Sequence, residues 1–181
     1  MTRNTDSLSV YPLWENIQYP WRKSSFMLSY ATPHGIIEFE RGMMNWRPER
    51  GPPQRVELGE TIVTACLIPS PQASIQGVVM FSRQGLIIHL SIPSLVPISS
   101  TKLDGWCPES AQIVHIHGIP HVILSHDKSI ETRCLDDLNK IVSIIEFENK
   151  VDLLYLDGNT LVVIQGMNTT EIQIQDIIPL P

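Results

Sequence analysis

The sequence predicts a β-dominated α+β domain: antiparallel hairpins forming a sheet or a small sandwich or barrel, one amphipathic helix packed on it, and an irregular arm in front. Three observations carry this expectation. Short β-branched or apolar runs recur after residue 55, each bounded by Pro, Gly, Ser or Asp. A stretch at 129–146 holds apolar residues at helical spacing. Prolines at positions 12, 20, 33, 48, 52 and 53 crowd the first third of the chain, and each fixes φ and removes a backbone donor.

In order along the chain, residues 1–10 read as a polar, flexible tail and 11–54 as an arm rich in Pro and aromatics. Within the arm, GIIEFER from Gly35 is a short strand. Tyr11, Trp14, Tyr19, Trp21 and Trp46 are its candidate anchors, pinning it to its own core or to a neighbouring copy. Residues 55–181 read as one core domain. ETIVTACLI (60–68) and IQGVVMFS (75–82) are strands, and Arg83-Gln84-Gly85 joins the second to LIIHLSI in a hairpin whose Gly supplies the left-handed residue. QIVHIH and HVILSH form a second pair around Gly118-Ile119-Pro120, and VDLLYLDGNTLVVIQ a third around Asp157-Gly158. TEIQIQDI alternates apolar and polar residues and predicts a strand with one wet face.

The helix is placed at 129–146, because Ile130, Cys134, Leu135, Leu138, Ile141, Val142 and Ile145 fall three and four apart on one face. Asp127 or Ser129 is its cap. Hairpins about 35–40 residues apart resemble the spacing of propeller blades, although 181 residues are short for a full propeller.

Composition narrows the function. Hydrophobic residues make up 43% and charged residues 18%, which suits a folded chain with surface to hide against a partner. No run reaches the roughly 18 apolar residues of a membrane span, and the polar N-terminus lacks a signal-peptide core, so an intracellular protein is expected, cytoplasmic, nuclear or within a virion. Three cysteines, Cys66, Cys107 and Cys134, are an odd number and read as reduced thiols. The net charge of −6 is uneven: seven basic and seven acidic residues up to Glu60, then six and twelve.

Two sites are candidates. His115, His117 and His121 crowd one hairpin; two imidazoles spaced i, i+2 on a strand, with His121 or Cys107 added, resemble the ligand set that cupin-type barrels offer to zinc, iron or manganese. The cupin glycine spacing and following glutamate are not there, since His117 is followed by Gly-Ile-Pro-His. The simpler reading leaves these histidines on the wet side of a hairpin, with no cofactor. Arg41, Arg47, Arg50 and Arg55 beside Trp46 offer a weak contact to an anionic surface, a nucleoprotein or a peripheral membrane face. With five lysines in the whole chain, sequence-specific nucleic-acid binding is not expected.

Catalytic signatures are missing: no Gly-x-Ser-x-Gly elbow, phosphate loop, dinucleotide turn or Cys-x-x-Cys pair occurs. Cys66 and Cys134 read as core thiols, His126-Asp127 as an unsupported acid–base pair, and Asp136-Asp137 as solubilising charges. The expected function is therefore a non-enzymatic structural or assembly protein that self-associates as a homo-oligomer and binds protein partners. The expected type is a viral matrix or capsid-associated scaffold, or a small subunit of a larger complex. A metal-dependent cupin-like enzyme is the alternative.

Overall fold

The computed structural model describes residues 28–32, 34–40, 42–69 and 75–178. Among them fifteen strands are grouped in four small sheets, each an antiparallel meander of consecutive strands. Sheet 1 holds β1 (Leu28–Thr32), β2 (Gly35–Glu40), β3 (Met43–Pro48) and β4 (Gln54–Glu57). Sheet 2 holds β5 (Ile62–Pro69), β6 (Ile75–Ser82), β7 (Leu86–Ser91) and β8 (Pro97–Lys102). Sheet 3 holds β9 (Ala111–Ile116), β10 (Ile119–His126), β11 (Ser129–Cys134) and β12 (Ile141–Glu146). Sheet 4 has three strands, β13 (Leu153–Asp157), β14 (Thr160–Gln165) and β15 (Asn168–Gln173), and runs into the short helix α1 (Ile174–Ile177).

The sheets stack face to face in chain order. Side chains alternate across a strand, so each inner sheet contributes to two cores. In sheet 2, Ala65, Val78, Met80 and Leu90 pack with Tyr30, Ile37, Phe39, Met44 and Trp46 of sheet 1. The opposite face of sheet 2, with Cys66, Ile68, Val79, Phe81 and Ile87, packs on Ala111, Ile113, Val122 and Leu124 of sheet 3. Val114, Ile116, Ile123 and Ile130 on the far side of sheet 3 meet Leu154, Leu161, Val163 and Ile177. The first strands, β5, β9 and β13, touch in succession along this stack.

The β-dominated antiparallel class holds, as do the hairpins at β6–β7, β9–β10 and β13–β14. The helix expected at 129–146 does not form: this stretch is the hairpin β11–β12, with Ser129 opposite Glu146 and Ile130 opposite Ile145. Its apolar spacing misleads because a bulge between Thr132 and Arg133 shifts the strand alternation and buries both residues, and because Leu135 and Leu138 of the apparent stripe lie in the turn between the two strands. The β-branched content of the stretch favours strands. Arg133 also closes the turn, donating from Nη1 to the Leu138 carbonyl at 2.6 Å and pairing with Glu131. The irregular arm is corrected over 28–54, where β1 to β3 and the start of β4 build sheet 1. Pro48 ends β3 and Pro52 and Pro53 lie in the link to β4, so the prolines bound strands without interrupting them. TEIQIQDI is β15 running into α1, a change of structure midway through the stretch.

Candidate interaction surface

The histidine hairpin does not assemble a metal centre. β9 ends at Ile116, and His117 sits in the turn with φ of 51°, followed by Gly118 at 77°, so the i, i+2 strand geometry of His115 and His117 is absent. His115 shares the face of Ile113, which packs toward sheet 2, and His121 shares the face of Ile123, which packs toward sheet 4. The two imidazoles therefore leave opposite faces of sheet 3. His121 is 5% exposed, its Nδ1 lies 2.8 Å from the Ile119 carbonyl, and burial holds its pKa below the usual imidazole value. Among the described residues no three His, Cys, Asp or Glu side chains are grouped to hold a metal ion.

The remaining candidates separate in the same way. Tyr11, Trp14, Tyr19, Trp21 and Arg41 lie outside the described residues. Trp46, expected as an exposed anchor, is buried in the core between sheets 1 and 2, because its strand face is the one that sheet 2 covers. Arg47 is bound to Glu38 at 2.9 Å, and Arg55 Nε donates to Asn45 Oδ1 at 2.8 Å. Both side chains belong to the outward face of sheet 1, and Arg50 is exposed in the β3–β4 link. Cys66 is a core thiol whose pKa burial raises to about 12; Cys107 is raised to about 11 by the same cause. Cys134 ends β11, half buried, and not on a helix stripe. The His126 ring packs on Trp106 with centroids 4.1 Å apart. Asp127 occupies a left-handed turn with φ of 47°.

An open crevice of about 330 Å³ runs along the β10–β11 turn and the end of β12, lined by His126, Asp127, Lys128, Ser129, Glu146 and Phe147. It is shallow and mixed in charge, with no nucleophile aligned on a base.

Exposed apolar side chains mark the more extensive surface. Val96 and Ile98, 55% and 45% exposed, lie just before and on β8, the last strand of sheet 2. Ile141 and Ile144, 45% and 56% exposed, lie on β12, the last strand of sheet 3. Side-chain bonds tie β8 to the 135–140 turn that leads into β12: Ser99 Oγ donates to the Leu135 carbonyl at 2.6 Å and Thr101 Oγ1 to Asn139 Oδ1 at 2.9 Å. Each of β8 and β12 has one neighbour in its sheet among the described residues, so its other edge presents unpaired backbone groups. Nothing in the sequence distinguished these isoleucines from core residues; their place on the outermost strands is what exposes them.

No family model and no curated protein matches this chain in sequence. Solved structures share its fold. The dihydro-heme d1 dehydrogenase NirN in complex with DHE superposes with a TM-score of 0.62 at 14% identity over 84% of this chain and 36% of NirN. BamB from Moraxella catarrhalis gives 0.60 and 14%, covering 88% of this chain and 48% of BamB. The C-terminal WD40 domain of Sif2 gives 0.56 and 14%, covering 81% and 44%. The chain spans less than half the length of each of these three. The shared architecture is the β-propeller, with each antiparallel meander one blade. This corrects the expectation of a viral matrix or capsid-associated scaffold, and the cupin-type alternative with it. The overturned readings assumed a single sheet or barrel; a succession of stacked meanders builds neither.

Proposed function

We propose that this chain is a non-enzymatic platform of propeller type that binds protein partners along the outer rim of its second and third blades. The observation that carries this reading is the pair of outermost strands, β8 and β12, with Ile98, Ile141 and Ile144 exposed and, among the described residues, a backbone edge on each with no strand paired to it. An extended segment of a partner can add to such an edge through main-chain hydrogen bonds, with alternate side chains seated on the isoleucines. BamB and the WD40 domain of Sif2 share the fold, whereas NirN is described as a dehydrogenase, so fold alone does not separate platform from enzyme. The buried thiols and divergent imidazoles favour the platform. Among the described residues no helix is long and apolar enough to cross a membrane.

Selection of a random peptide library on the full chain tests this. Extended peptides with alternating apolar residues are expected, and Ile144→Asp combined with Ile98→Asp should abolish their binding while the circular-dichroism melting curve stays in place. Peptides that bind the double variant as well as the parent would overturn the rim assignment.

A further inference from the structure

The two open edges of the rim are not alike. β8 begins with Pro97 and ends with Lys102, and Pro and Lys are residues that keep an edge strand from pairing. β12, Ile141–Glu146, contains neither and exposes Ile141 and Ile144. Its register fixes which backbone groups are open. The Phe147 N–H donates to the Lys128 carbonyl at 2.7 Å, and pairing with β11 runs without a shift from Ser129 opposite Glu146 to Thr132 opposite Ser143. Bonded and open positions alternate along an antiparallel strand. Ser143 and Ile145 therefore address β11, while Ile144 and Glu146 turn their N–H and C=O groups to the unpaired edge.

The side chains of these two residues share one face of the sheet. Leu124, Glu131 and Ile144 form one cross-strand row, and His126, Ser129 and Glu146 the next. The second row borders the crevice of about 330 Å³ that His126, Asp127, Lys128, Ser129, Glu146 and Phe147 line. Glu131 is already bound by Arg133, whereas Glu146 is exposed and has no ion-pair partner among the described residues. The strand lies in acidic surroundings. From Asp136 to Glu148 the charged residues are Asp136, Asp137, Lys140, Glu146 and Glu148, and in the crevice Lys128 is offset by Asp127 beside it.

We propose that β12 is the docking edge for an extended cationic segment of a protein partner, which sets an apolar side chain against Ile144 and, two residues along, a Lys or Arg against Glu146. This rests on the rim reading and narrows it to one edge and one kind of segment. Main-chain bonds at Ile144 and Glu146 hold the segment as a further strand of blade 3. Side chains directly opposed across such a pair lie about 4.5–5.5 Å apart at Cβ, within reach of an ion pair with Glu146. The crevice then takes the long side chain: Phe147 offers apolar surface to its stem, and Asp127 supplies a second carboxylate. An acidic residue at that place would meet like charge. A second copy of β12 carries the same acidic excess and is disfavoured for the same reason.

Selection of a random peptide library on the full chain, run in parallel on Glu146→Arg, tests this. The parent is expected to enrich peptides with Lys or Arg two residues from an apolar residue, and the variant to enrich Asp or Glu at that place. The most enriched parent peptide, followed by fluorescence anisotropy, should bind about tenfold or more weakly when its cation is changed to Gln or when the chain carries Ile144→Asp, and as before when the chain carries Ile98→Asp. Ile98, Ile144 and Glu146 are exposed, and melting curves confirm that the variants fold. Enriched peptides without a cation preference, or binding that depends on Ile98 and not on Ile144, would overturn the cationic segment and leave the rim reading standing. Peptides that bind the Ile98→Asp, Ile144→Asp double variant as tightly as the parent would sink both. A two-chain mass in sedimentation equilibrium that Ile144→Asp abolishes would put a second copy on this edge and overturn the proposal as well.

Discussion

His89 on β7 and Leu135, the first residue past β11, are joined across the blade 2–blade 3 interface, the imidazole Nδ1 lying 2.8 Å from the carbonyl oxygen. A carbonyl only accepts, so the neutral ring carries its proton on Nδ1 and donates. The same carbonyl accepts from Ser99. One oxygen thus ties two strands of blade 2 to the turn of blade 3.

This contact predicts a pH dependence. Burial lowers the His89 pKa below its ordinary value, with the Leu135 bond and nearby Asp136 opposing in part; burial lowers His121 likewise, opposed by its bond to Ile119 and by Asp136, and reinforced by His115 and Lys140. The unfolded chain therefore binds protons that the folded chain refuses. Stability should be fully present above pH of about 6.5, the unfolded value, and fall as pH drops through the folded values. Urea midpoints between pH 7.5 and 5 check this. His89→Gln should flatten the curve and cost about 1–2 kcal/mol at pH 7.5, whereas an unchanged slope would remove His89 as its source.

Ser110 performs a similar task at the next interface. Its hydroxyl accepts from the Leu154 N–H at 3.0 Å and donates to the Leu154 carbonyl at 3.4 Å, while Gln112 Nε2 donates to that carbonyl at 2.9 Å. Ser110→Ala leaves a buried N–H without that partner and should cost about 1–3 kcal/mol. Denaturant unfolding measures it, and a cost below about 0.5 kcal/mol would show that water replaces the hydroxyl.

Gly85 turns the β6–β7 hairpin with φ of 84°, and a Cβ there would lie 2.4 Å from the Trp106 carbonyl oxygen. Gly85→Ala combines a left-handed backbone with a backbone clash and should destabilise by roughly 2 kcal/mol or more. Gly118→Ala is the control: its φ is 77°, but a Cβ would meet nothing within 4 Å, so it should lose less in the same thermal-melting comparison.

The divergent histidines predict that zinc added at equimolar ratio leaves the melting temperature of the full chain unchanged. His115→Ala with His117→Ala should not alter that result, since both side chains are exposed. A zinc-dependent rise in melting temperature that the double variant abolishes would restore the metal reading.

The sequence displayed its hairpins where local chemistry suffices. Gly85 and Gly158 take the left-handed conformations their turns require, and β13–β14 alternates around its turn as expected. It concealed the β11–β12 hairpin, because the bulge between Thr132 and Arg133 breaks the period-2 alternation and the turn residues Leu135 and Leu138 continue the helical spacing of apolar residues. The site was harder to read. Trp46 and Tyr155 are both aromatic residues on strands, yet the first is 1% exposed and the second 37%.

What the sequence by itself determined is the β class, most strand positions and the tight turns, because these follow from residues close together in the chain. Only the tertiary structure decided that the strands divide into four stacked meanders, that His115 and His121 part to opposite faces, and that Ile144 stands exposed on an outermost strand. Which face of a strand is covered depends on the sheet stacked against it, and that neighbour is built from residues some 40 positions away, beyond the reach of any local pattern.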